Sequence, residues 1–148
     1  MIDETDIKII NSLLANSRQS TKAIAEPLDI SNVATQGRID KLEKNGIING
    51  YTATIDYRKL GYNTIAYVGI FLEKAKHYPK VIAKLNNVPQ IKEAYFTTGN
   101  YSIFTKIYAK DNYHLMEILS QHVQNIDGIA RTETFICLEE GINKELFV

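Results

Sequence analysis

The hydrophobic period of this chain changes once, and the change limits it to two architectures in series. Up to about residue 44 the apolar residues recur at helical spacing; from residue 64 on, runs that alternate as strands do are interleaved with short helical stretches. The 148 residues leave room for two small domains, and a hydrophobic content of 45% supplies a core for each.

In the first region, Ile7, Ile10, Leu13 and Leu14 predict an amphipathic helix from about Asp3 to Ala15. Asp3, Glu4 and Asp6 lie in its first turn, where the helix dipole favours negative charge. Asn16-Ser17-Arg18-Gln19 breaks it, and Ser20 or Thr21 caps a second helix with Ile24, Ala25 and Leu28 inward. Pro27 falls late in that helix and is expected to bend or shorten it. Asp29-Ile30-Ser31 is the next break; Asp29 is one of the few residue types that tolerate left-handed geometry. A third helix follows from about Asn32 to Lys44, with Val33, Ile39 and Leu42 expected inward, and Asn45-Gly46 ends it. Ile47, Ile48, Tyr51 and Ala53 suggest short extended segments around Gly50. This spacing fits a winged helix-turn-helix and a plain three-helix bundle equally well.

Charge excludes one mode of action. Lys plus Arg and Asp plus Glu number 17 each, with a pI near 6.8, so the chain does not grip nucleic acid by bulk charge. Residues 1–50 carry six basic residues against seven acidic ones, so specific DNA binding would require several linked copies. The acidic start, Met1 to Asp6, does not read as a signal peptide, and the apolar run Ile65 to Leu72 is too short to span a bilayer. A cytoplasmic protein with no membrane association is expected.

The second region predicts β-α-β-β-α-β: a strand Thr64–Leu72, a helix Tyr78–Leu85, a strand Ile91–Thr97, a turn Thr98-Gly99-Asn100, a strand Tyr101–Tyr108, a helix from Asp111-Asn112, and a last strand Ile129–Leu138. That order is the split βαβ, ferredoxin-like arrangement. Its two helices cover one face of the sheet only. The first strand is apolar on both faces, Ile65, Tyr67 and Phe71 on one and Ala66, Val68, Ile70 and Leu72 on the other. In the third, Ile103, Thr105 and Ile107 face one way and Phe104 and Tyr108 the other; a second apolar face in a soluble protein needs cover. Sheet-to-sheet dimerisation is the expected answer.

The local sequence narrows this further. The run Ile24-Ala25, Leu28-Asp29-Ile30-Ser31, Arg38-Ile39, Leu42-Glu43, Gly46-Ile47-Ile48, Gly50-Tyr51 and Ala53 closely resembles the DNA-binding half of the Lrp/AsnC family of transcriptional regulators. Thr98-Gly99-Asn100-Tyr101-Ser102 with Ile103 to Lys106, and Ile126-Asp127-Gly128-Ile129 leading to Arg131-Thr132-Glu133-Thr134, resemble its small-molecule-sensing RAM domain. The resemblance covers nearly the whole chain. It implies an α+β protein with a winged helix-turn-helix over 1–50, a linker strand over 51–63 that pairs with a partner chain, and an effector-binding and oligomerisation domain over 64–148.

The resemblance places the third helix in the major groove, with its N-terminal residues at base edges. Asn32, Thr35, Gln36 and Arg38 are the candidates for that role, since Asn and Gln suit adenine and Arg suits guanine. Ser31 stands with them at the helix start. Ser20, Thr21, Lys22 and Lys41 are candidates for phosphate contacts, which fix register but carry no base code. The effector, expected to be an amino acid, is placed at the Gly99-Asn100-Tyr101 turn between dimers. Glycine lets the backbone approach a ligand, and N–H groups there can receive a carboxylate. Thr98, Ser102, Thr132, Thr134 and Ile136 complete the candidate pocket. The chain departs from the family where Asn100 and Ser102 replace frequent aspartates, so neither offers an ammonium group an ion pair.

No cofactor or metal is expected. His77, His114 and His122 lack ligand spacing, and one cysteine, Cys137, makes neither a disulfide nor a cysteine-based zinc site. No glycine-rich phosphate loop, nucleophile elbow or HExxH motif is present. The expected function is a sequence-specific DNA-binding regulator, not an enzyme, acting as a homodimer that assembles into an octamer. The alternatives are a metabolite-sensing oligomeric module without DNA binding, suggested by Pro27, Asp29 and Gly37, and a tetrapyrrole decarboxylase-like enzyme of the same architecture.

Overall fold

The computed structural model describes residues 2–148. The chain divides into two compact units, one formed by residues up to Thr54 with Gly141–Val148, the other by Ile55–Glu140.

In the first unit, Asp3 caps α1 (Glu4–Ala15) through a reciprocal capping box: its carboxylate accepts from the Asp6 N–H at 2.9 Å, and the Asp6 carboxylate accepts from the Asp3 N–H at 3.1 Å. The Ser20 hydroxyl accepts from the Ala23 N–H at 3.2 Å and opens α2 (Thr21–Ala25). Pro27 shortens α2 as expected: the helix tightens into a 3-10 turn over Glu26–Leu28. Asp29 then adopts φ 53°, the left-handed geometry that reverses the chain. Ser31 accepts from the Ala34 N–H at 3.1 Å and starts α3 (Asn32–Lys44), and Gly46 at φ 68° closes it.

Ile9, Ile24, Ile39 and Leu42 form the core, with Ile10, Leu13, Leu28, Ile30 and Ile48 packed around it. Two expectations fail here. Val33 is 83% exposed, because the buried stripe of α3 runs through Thr35, Ile39 and Leu42 and leaves Val33 on the opposite side. No strand forms from Asn45 to Asn63, so neither the β element after α3 nor the linker strand over 51–63 exists as sheet. Residues 51–56 are unpaired and Tyr57–Leu60 is a 3-10 turn capped by Asp56. A strand needs a partner for its backbone groups, and a single chain supplies none there. The last eight residues also leave the expected 64–148 domain: the Asn11 side-chain amide donates to the Val148 carbonyl at 2.7 Å and accepts from the Val148 N–H at 2.9 Å.

The second unit is the β-α-β-β-α-β arrangement. Its elements are β1 (Thr64–Leu72), α4 (Tyr78–Leu85), β2 (Ile91–Phe96), β3 (Ile103–Ala109), α5 (Asn112–Glu117) and β4 (Ile129–Ile136). The strands form one antiparallel sheet in the order β2-β3-β1-β4. Val68 pairs with Thr105 on β3 and with Thr134 on β4, which sets the register across the sheet. Ala66, Val68, Ile70, Ile103 and Ile107 pack with Val81 and Leu85 of α4 and Leu115 of α5. After α5 the backbone widens into π-type turns over Ile118–Val123, and this added residue per turn keeps both Ile118 and Val123 buried. The other face carries Tyr67, Phe71, Tyr101, Phe104 and Phe135, whose rings lie 5.1–6.1 Å apart in neighbouring pairs.

Candidate DNA-binding and effector sites

The outward face of α3 consists of Val33, Gln36, Gly37 and Asp40, spaced i, i+3, i+4 and i+7, all exposed. Gln36 is held from two sides. The Thr21 hydroxyl donates to its carbonyl oxygen at 3.0 Å, and its amide nitrogen donates to the Asp40 carboxylate at 2.7 Å. One amide hydrogen and one oxygen lone pair remain free, the pair that adenine requires. Asn32 is also exposed at the helix start.

Two candidates face elsewhere. Thr35 is fully buried and its hydroxyl donates to the Ser31 carbonyl at 3.1 Å, so it ties the first turn of α3 instead of meeting bases. Arg38 points to α1, with its guanidinium 2.7 Å from Asp6 and 2.8 Å from Asp3. It therefore joins α3 to the α1 cap. The Arg38 hydrogen bond, helped by the Asp6 N–H, holds the Asp3 carboxyl below the ordinary carboxylate range. Aspartates at 3 and 6 are the signal that arginine here has an internal partner; the sequence reading assigned them only to the helix dipole.

Around α2, Ser20 acts as a cap, Thr21 orients Gln36, and Lys22 pairs at 3.6 Å with Glu26, both well exposed. An exposed pair of this kind contributes little to stability and leaves the lysine free to move to a phosphate. Lys41 is exposed on α3.

In the second unit, the turn between β2 and β3 is built as read. Gly99 takes φ 99°, the Thr97 hydroxyl donates to the Tyr101 carbonyl at 2.8 Å, and the Thr97 N–H donates to the Ser102 carbonyl at 3.0 Å. Thr98, Gly99 and Asn100 are exposed, and the Ser102 N–H donates to the Ile70 carbonyl at 2.9 Å. Tyr101 turns onto the open face of the sheet, against Gly69, where a Cβ would come within 2.4 Å of its ring. Its hydroxyl donates to Glu133 at 2.7 Å, which raises the tyrosine pKa. Glu133 was not anticipated; a lone glycine inside an apolar strand is the signal that a bulky group crosses there.

Thr132, Thr134 and Ile136 pair with Ile70, Val68 and Ala66 and share their side of the sheet, opposite to Tyr101. The Thr132 hydroxyl oxygen accepts from the Gln124 side-chain amide N–H at 3.1 Å. The turn and the threonine pair therefore lie on different sides of one sheet, and one chain does not bring them together. His77 packs against Gly128, where a Cβ would lie 2.8 Å from its own, and His114 accepts from the Lys110 N–H at 3.1 Å. Cys137 is half-buried, and its N–H donates to the Ile65 carbonyl at 2.8 Å.

Residues 2–49 match the model for a winged helix-turn-helix DNA-binding domain, and residues 65–145 match the Lrp/AsnC ligand binding domain. The chain belongs to the Lrp/AsnC family. It is 39% identical over 145 residues to the regulatory protein AsnC of Haemophilus influenzae, covering 98% of this chain and 97% of that one. AsnC of Escherichia coli K12 is 35% identical over 146 residues, covering 99% and 96%. The HTH-type transcriptional regulator LrpA of Pyrococcus horikoshii is 35% identical over 140 residues, covering 95% and 99%. The solved structure of E. coli AsnC superimposes with a TM-score of 0.95 at 34% identity, over 100% of this chain and 99% of that one. A transcriptional regulator of Neisseria meningitidis, NMB0573, solved in complex with L-Met, shares the fold with a TM-score of 0.92 at 21% identity, over 97% and 94%. This Lrp/AsnC chain is thus a DNA-binding transcriptional regulator with a domain for a small effector. No helix among the described residues is long and apolar enough to cross a membrane.

Proposed function

We propose that this regulator is a homodimer, further assembled into an octamer, whose affinity for double-stranded DNA changes when a free amino acid binds between dimers. The observation that carries the reading is the aromatic face of the sheet, where Phe135 is 46% exposed against Tyr101 and where Tyr67, Phe71 and Phe104 are only half-buried. A second copy of the same face is the cover that a self-complementary interface provides. The separation of the Thr98–Ser102 turn from Thr132, Thr134 and Ile136 supports a pocket completed by another chain.

At the turn, N–H groups near Gly99 receive the effector carboxylate, and Asn100 accepts from its ammonium group without an ion pair. An uncharged acceptor in place of a carboxylate gives weaker binding, matched to an abundant metabolite. Amino acids are the class to try first, since the Neisseria protein was solved with L-Met. On the DNA side Asn32 and Gln36 meet base edges, Ser31 lies at the start of the same helix, Ser20, Lys22 and Lys41 meet phosphates, and Thr21 joins them through its backbone N–H while its hydroxyl holds Gln36. The mechanism is a population shift: an effector that prefers one assembly fixes one spacing of the paired recognition helices. The protein acts in the cytoplasm and performs no catalysis.

Sedimentation equilibrium, run with and without each of the twenty L-amino acids, tests the assembly and the effector together. Dimers or larger species at micromolar concentration are expected, redistributed by at least one amino acid and unresponsive in Asn100→Arg. A monomer at 16.8 kDa that no amino acid shifts would overturn the reading.

A further inference from the structure

We infer that Val33 is a specificity-determining residue that reads a thymine methyl group, next to an adenine read by Gln36. The inference rests on α3 being the groove-facing helix, which the winged helix-turn-helix match supplies.

Three observations converge on one helix face. Val33 is the second residue of α3 and is 83% exposed, so it contributes nothing to the core that its apolar neighbours Ile39 and Leu42 fill. Residues at the N-terminal end of a recognition helix are the ones that reach base edges, and the methyl of thymine is the apolar feature of the major groove.

Gln36 lies one turn on, on the same face. Thr21 and Asp40 fix its amide plane and leave one donor and one acceptor free, which selects adenine. Gly37 lies beside both. A Cβ built there meets nothing within 4 Å, so no packing within the chain requires glycine. Yet glycine in a helix interior is unfavourable relative to alanine. A residue that weakens the helix without an internal reason lies where something outside must come close. A duplex seated over Val33 and Gln36 would use that space.

The polarity of the face fits the same target. Asp40 makes the face locally acidic and leaves no free cation among Val33, Gln36, Gly37 and Asp40 for guanine. Arginine is guanine's usual partner, and Arg38 is bound to Asp3 and Asp6. The reading is therefore an A·T-containing step recognised by an amide and a branched aliphatic side chain.

The test uses the full-length protein and two steps. Selection from random duplexes with the wild-type chain defines a half-site, and deoxyuridine then replaces each thymine of it in turn, removing only the methyl. At one thymine per half-site the wild type should lose about fourfold in affinity, the equivalent of one buried methyl. Val33→Ala should bind the thymine duplex more weakly by a similar factor and be indifferent to the replacement. Gly37→Ala should raise the melting temperature and lower DNA affinity, a combination that a purely structural glycine does not give. The inference is overturned if Val33→Ala retains the wild-type deoxyuridine penalty, or if no thymine shows one. Selection of no sequence by the wild type would overturn base reading by α3 as a whole.

Discussion

Among the described residues, a core cluster of four buried aliphatic side chains in the first unit is supported by side-chain caps at Asp3, Ser20 and Ser31 and by the Arg38 pairs, whereas a cluster of thirteen buried residues fills the core of the second. The DNA-binding unit thus depends on hydrogen bonds and charge at helix ends, and the effector unit on apolar burial under a sheet. The difference follows from function. Three short helices that must present a polar face to DNA have little surface left to bury. A sheet that packs helices on one side and carries aromatic rings on the other is apolar on both.

The comparison is sharpened by variants that should damage one unit and spare the other. Ile103→Ala removes a fully buried side chain at the start of a central strand and should destabilise the second unit by about 2–5 kcal/mol, seen as an early phase in urea unfolding. Gly69→Ala places a methyl within 2.4 Å of the Tyr101 ring. It should destabilise by about 1–3 kcal/mol and weaken self-association in sedimentation, because Tyr101 is pushed off the open face. Ser31→Ala should lower the stability of the first unit by about 1 kcal/mol with no change in the second. Arg38→Ala acts in the same unit by leaving Asp6 without its cation, and it should lower the helical melting temperature while leaving base preference intact. If core and cap variants proved interchangeable in which unit they unfold, the contrast would be wrong.

The smallest effect is on pH. The Arg38 bond and the Asp6 N–H depress the Asp3 carboxyl, so its contribution is complete above the unfolded-state value and is lost as pH falls through the folded-state one. Burial and the Glu43 carboxylate raise Tyr51 from 10.0 to about 12, so its contribution is complete below the lower value and is lost as pH rises through the higher. Both groups belong to the first unit, which should therefore weaken at both extremes before the second does. Circular dichroism melts of Asp3→Asn and Tyr51→Phe should show flatter acid and alkaline limbs, respectively.

Regular periodicity was legible in the sequence, and so were the residues that interrupt it. The bounds of α3 and β1, the left-handed Asp29 and the Pro27 break follow from the residue types, because each is a local effect. Val33 was misread inward because an apolar residue near the start of a short helix fits two faces, and only the packing of Thr35 chose between them. Arg38 was misread outward because its partners lie 35 and 32 residues away, beyond any local pattern. The linker has no strand because no other segment of the chain pairs with its backbone groups. At the effector site the turn was legible from Gly99, but the sidedness of Thr132 and Thr134 came only with the register against Val68 and Ile70.

The most direct test of the account is a fluorescence-anisotropy titration of the selected duplex with wild type, Gln36→Ala and Asn100→Arg, each with and without the amino acid that shifts assembly. The wild type should bind specifically, with an affinity that the amino acid moves; Gln36→Ala should lose the preference for adenine at one position of the half-site, and Asn100→Arg should keep wild-type affinity without the amino-acid response. Unchanged specificity in Gln36→Ala, or an intact response in Asn100→Arg, would contradict it.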